Sequence, residues 1–134
     1  MANYVPLFRS NYFRVKDIDA WKTFVDKLGE YKVIEGNEDR VGLLSEGETG
    51  FPTQIYDEDD HDYTSEIDFA AEVASHLVHG EVAIFMEIGY EKMRYLFGAY
   101  WAVNWEGKVL QGSLDEVYDR VTLHWGVKPT MAAY

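Results

Sequence analysis

Residues 82–105 read VAIFMEIGYEKMRYLFGAYWAVNW, and this stretch decides the fold. Val82, Ile84, Met86 and Ile88 alternate with other residues, as do Met93, Tyr95, Phe97, Ala99, Trp101, Val103 and Trp105. A period of two is the signature of a strand with one face buried. With a turn at Tyr90-Glu91, Ile88 would face Met93, Met86 would face Tyr95, Ile84 would face Phe97 and Val82 would face Ala99. Four apolar pairs then share one side, and Glu87 would oppose Arg94 on the other. This match predicts an antiparallel hairpin at that register, because a one-residue slip would send each apolar set to the opposite face.

On the N-terminal side, Asn11–Val15 reads as a strand. Asp17 is placed to cap a helix whose apolar face is Ile18, Trp21, Phe24, Val25 and Leu28, with Gly29 ending it. Tyr31–Ile34 and Val41–Leu44 read as short strands joined through Gly36-Asn37. Residues 45–64 lose periodicity and are expected to form a long acidic loop. The next helix opens with a capping box, Ser65 as N-cap and Asp68 three residues on, and ends at Gly80. Beyond the hairpin, Trp105–Lys108 is a turn and Val109-Leu110 a short returning strand. Ser113 and Glu116 form a second capping box for a last helix lined by Leu114, Val117, Tyr118 and Val121. The order β-α-β-β-loop-α-β-β-β-α predicts one α+β domain over residues 1–134, an antiparallel sheet with about three helices packed on it.

Composition narrows the function classes. Apolar residues are 47% and aromatics 16% of 134 residues, enough to build a core. There is no cysteine, so thiolate chemistry, disulfides and Cys-held metals are excluded. No 18-residue apolar run is present, so no membrane span is expected. The opening Met-Ala-Asn-Tyr-Val-Pro has no basic region leading into an apolar one, and a cytoplasmic location is expected. The net charge is −12, of which −11 falls within residues 36–72, where Arg40 stands against twelve acids. Such a segment repels nucleic acid, whose binding needs lysine and arginine. It attracts basic surfaces and cations.

The candidate partner-binding residues are therefore Asp57, Glu58, Asp59, Asp60, Asp62, Glu66, Asp68 and Glu72. Tyr100 is added as an exposed aromatic anchor, since its parity sets it opposite Trp101 and Trp105. Competing chemistry is thin. An EF-hand frame starting at Asp57 would use Asp57, Asp59, His61 and Asp68, but its sixth position is Asp62 instead of glycine. Glu72, His76 and His79 share a helical face and could hold a metal, yet zinc needs a further ligand or water. No G-x-S-x-G, P-loop, G-x-G-x-x-G or H-E-x-x-H occurs. No enzyme activity and no cofactor are expected.

Met1–Asp17, MANYVPLFRSNYFRVKD, and Glu87–Tyr100, EIGYEKMRYLFGAY, resemble a group of small acidic bacterial proteins carried by phages, plasmids and other mobile elements. The resemblance implies an anti-defence function of the anti-CRISPR or anti-restriction type, a class in which several members mimic DNA. It carries over no functional residue. The expected activity is inhibition by covering a basic nucleic-acid-binding surface of a protein partner, without direct contact to nucleic acid. An antitoxin or immunity protein against a basic toxin, a metal-dependent enzyme and a small regulatory domain are the alternatives.

Overall fold

The structure is a computed structural model that describes residues 5–46, 52, 54–57, 60–91 and 95–130. Among these the chain runs β1 (Val5–Ser10), α1 (Ile18–Leu28), β2 (Tyr31–Glu35), β3 (Val41–Ser45), β4 (Gln54–Asp57) and β5 (Asp60–Glu66). It continues through α2 (Phe69–His76), β6 (Val82–Glu91), β7 (Tyr95–Asn104), β8 (Val109–Ser113) and α3 (Glu116–Trp125). The main sheet has the order β2-β3-β1-β6-β7-β8, and β4 and β5 pair as a separate ribbon. Every pairing is antiparallel, which makes the chain an α+β protein as the hairpin pattern predicts.

Helix α1 forms for the reasons its sequence announces. The Asp17 carboxylate accepts from the Ala20 N–H, and Trp21, Phe24, Val25 and Leu28 are buried along one side. The chain leaves the helix through Gly29 at φ 94°, a conformation that favours glycine. Helix α2 begins later than the capping box implies. Ser65 belongs to β5, and Asp68 is the N-cap, accepting from the Ala71 N–H. Burial of Phe69, the next residue, fixes this start. The helix closes at His76 with Leu77 as C-cap, short of Gly80. Ser113 is likewise the last residue of β8, and Asp115 stands at the N-cap of α3 without a side-chain capping bond.

Three further expectations are corrected. The N-terminal strand is Val5–Ser10; Asn11–Val15 has left the ladder, held by hydrogen bonds of Asn11 to Val82 and Ile84 of β6 and by the isolated bridges Phe13↔Val41 and Val15↔Leu77. Pro6 obscures this strand in the sequence, because proline cannot donate to a ladder. Residues 45–64 are no plain loop, since β4 and β5 form within and just beyond them. The hairpin exists, but its register differs: Ile84 pairs with Ala102, and Phe97 with Gly89. Glu87 accordingly lies opposite Ala99, and Arg94 falls outside the described residues. The displacement from the expected pairing is an odd number of residues, so the faces of β6 are exchanged.

The exchange has a physical cause. Ala83 and Phe85 are fully buried under the helices, as is Val103 on β7. Phe85 stacks on Phe8 at 5.7 Å and meets Phe69 edge-on at 5.0 Å, while Phe13 meets Trp21 at 5.4 Å. The small Ala83 and Ala99 leave room beside Phe85 for this aromatic layer. Ser10 sits within it, its hydroxyl accepting from the Leu43 N–H and donating to the Asn11 carbonyl, both at 2.7 Å. Trp21 Nε1 is buried without an acceptor, with the His76 ring edge-on to the indole at 5.5 Å. The more apolar row, Val82, Ile84, Met86 and Ile88, points the other way and is 37–57% exposed.

Candidate partner-binding surfaces

The acidic segment begins at the β2–β3 turn. Glu38 and Asp39 there adopt φ of 59° and 61°. The Glu38 carboxylate accepts from Arg14 at 3.3 Å and Arg40 at 2.8 Å, so two of the nearby cations are already engaged. Both pairs are exposed and add little stability. An open groove of about 540 Å³ lies beside the turn, and Arg14, Lys16, Asp17, Asp19 and Glu38 line it in mixed sign.

The ribbon supplies the next acids. Asp57 ends β4 and pairs with Asp60, which opens β5; Asp62 and Glu66 follow at the same parity along β5. Glu58 and Asp59 lie outside the described residues. Strand β4 runs against α1, which puts the ribbon on the helical side of the main sheet. Asp68 and Glu72 extend the segment onto α2, where both are exposed and Asp68 serves as the cap. The β4–β5 ribbon and α2 thus bring the described acids of β4, β5 and α2 to the helical side of the main sheet. Tyr100 does not join them. It projects from the opposite face of the sheet, 43% exposed, with its ring across Gly112.

The two metal constellations do not assemble. Strand β5 is extended, so Asp68 lies roughly 20 Å from the ribbon tip at Asp57, too far for one ion. Because α2 ends at His76, His79 is not on its face. The His76 ring packs against Trp21 and Phe24, and the His79 ring against Trp105 at 5.1 Å. Among the described residues no three His, Asp or Glu side chains could hold a metal together. Burial pushes the His76 imidazole below its ordinary value of 6.5, against the opposing pull of Glu72.

The outer face of the sheet is the surface that sequence reasoning misses. The register sets Lys32, Leu44, Arg9, Met86, Tyr100 and Gly112 in one outward row across six strands. Beside this row are the exposed side chains of Leu7, Ile84, Ile88, Leu96 and Leu110. An apolar recess of about 350 Å³ opens among Leu7, Ile88, Tyr90, Leu96, Phe97 and Leu114. The signal was present in β6, where both parities are largely apolar, a pattern typical of strands covered on both faces. No helix among the described residues is long and apolar enough to cross a membrane. No family model, curated protein or solved structure matches this chain.

Proposed function

We propose that this chain is a non-catalytic inhibitor that covers a basic, nucleic-acid-binding surface of a defence nuclease or effector complex, and that its acidic side makes the contact. The carrying observation is that −11 of the net −12 lies in residues 36–72. The described acids of the β4–β5 ribbon and α2 are gathered on the helical side of the main sheet. Along β5, Asp60, Asp62 and Glu66 recur at about 7 and 13 Å. DNA carries a charge about every 3.4 Å along each strand. The ribbon is thus sparser than a phosphate backbone, and its acids act by steering and by pairing with scattered cations instead of matching phosphates one for one. Tyr100, on the other side of the sheet, has no part in this contact.

Replacing Asp57, Asp59, Asp60 and Asp62 by asparagine tests the reading. Inhibition of nuclease activity, or of effector–DNA binding, should require more protein after the change, through slower association. The salt dependence of inhibition should flatten, because exposed charge acts chiefly on the on-rate. A four-site variant that inhibits like the parent at every salt concentration would exclude the acidic side as the interface.

A further inference from the structure

We infer that two copies of this chain pair through the outer faces of their main sheets, each copy laying the apolar stripe of α3 on the sheet of the other. Size is the first argument. Ten large apolar side chains of the outer face, counting Leu114 at its edge, are each 37–74% exposed. At roughly 200 Å² of full surface apiece they present roughly 1,000 Å², beyond the roughly 300–600 Å² patch usual on a monomer and above the roughly 800 Å² per partner of a standard interface.

Helix α3 gives the second argument. Val117, Val121 and Trp125 recur at four-residue spacing and form one apolar stripe. Yet no residue of α3 is buried, and its N-cap makes no side-chain bond. A helix of 10 residues has little stability of its own, since isolated helices under about 12–15 residues are marginal in water. Such a helix requires a surface to lie on. Leu114, immediately before it, rests over Gly98 at the border of the outer face. One chain therefore carries an unpartnered apolar stripe and an unpartnered apolar sheet side by side. A reciprocal exchange about a two-fold axis covers both with a single contact.

Charge permits this pairing despite a net −12 on each copy. Among the described residues the outward positions of the sheet include Arg9 and Lys32 and no Asp or Glu. The described acids of the β4–β5 ribbon and α2 lie across the sheet, and at 0.1 M salt the screening length is only about 10 Å. Added salt should consequently strengthen pairing between copies while weakening the acidic contact proposed above. The two readings are independent, and the sign of the salt effect separates them.

Sedimentation equilibrium on the full chain, at low and high salt, measures the pairing. The expected result is a dimer that tightens with salt. A chain carrying Ile88→Lys and Leu110→Lys should pair about 100-fold more weakly, because each lysine would be buried unpaired. These positions are 57% and 74% exposed in the single chain, so circular dichroism and melting of the monomer should be unchanged. The absence of native cysteine allows a test of orientation. A Met86→Cys chain mixed with a Val121→Cys chain should form a mixed disulfide in clear excess over a mixture with Asp19→Cys, on α1. A monomer at every concentration would overturn the inference, leaving the face to α3 of the same chain or to another protein. So would a dimer indifferent to both lysines, or one without excess cross-linking.

Discussion

The two faces of the main sheet differ in almost every physical respect. The inner face is an aromatic layer built on Phe8, Phe13, Phe69 and Phe85, closed by α1 and α2, with Ser10 fully satisfied inside it. The outer face is as apolar, has no described helix buried upon it, and keeps its leucines and isoleucines in contact with water. Hydrophobicity is thus not what distinguishes a core from an exposed surface here; coverage is. An uncovered apolar face of this extent is the mark of an interface.

Adjacent residues of β6 test this contrast most sharply. Phe85→Ala should cost about 3–5 kcal/mol in chemical denaturation, since it opens a cavity among stacked rings. Ile84→Ala, one residue along and facing outward, should cost less than about 1 kcal/mol in dilute, monomeric protein. Equal losses at both positions would mean that the outer face is already covered within one chain.

Two glycines extend the comparison. A methyl group on Gly42 would meet the Asn11 carbonyl at 2.7 Å and the Ser10 hydroxyl at 2.9 Å, neither of which can yield without breaking the packed region. Gly42→Ala should therefore destabilise by about 1–3 kcal/mol. A methyl group on Gly98 would meet Leu114 at 2.7 Å, but that side chain is 56% exposed and can swing aside. Gly98→Ala should stay within about 0.5 kcal/mol of the parent in thermal melts of the monomer.

The smallest effect is expected at His76, on the helical side. Burial lowers its folded-state pKa below the ordinary 6.5, with Glu72 and Asp17 opposing and Lys16 assisting. The unfolded chain then takes up the proton first as pH falls. The stability that neutral His76 contributes is complete above 6.5 and is lost as pH falls from there through the folded value. His76→Phe, which retains ring packing on Trp21 and Phe24, should flatten the pH dependence of the melting temperature below 6.5 relative to the parent. An unchanged slope would assign the pH response to carboxylates instead.

Much of this architecture was legible in local chemistry. The Asp17 cap, the Trp21–Leu28 stripe and the Gly29 exit are short-range features, and they specify α1 without reference to the rest of the chain. The β2–β3 pair and the existence of the β6–β7 hairpin follow from periodicity in the same way. So does the core-facing parity of β7, with Trp101 inward and Tyr100 outward, and so does the accumulation of acids in residues 36–72. What needed the tertiary structure was every choice between two locally equal options. Ser65 and Asp68 are both competent caps, and burial of Phe69 selects Asp68. Asp60–Glu66 carries too much charge to read as strand, and only its pairing with β4 shows it as one. On β6 the row Val82–Ile88 outscores Ala83 and Phe85 in hydrophobicity, so patterning alone turns the wrong face inward. Tertiary packing reverses that choice, because the rings of Phe8, Phe13 and Phe69 converge on Phe85, with Trp21 of α1 against Phe13. A strand's alternation says that its two sides differ; which side is inside is a property of what packs against it.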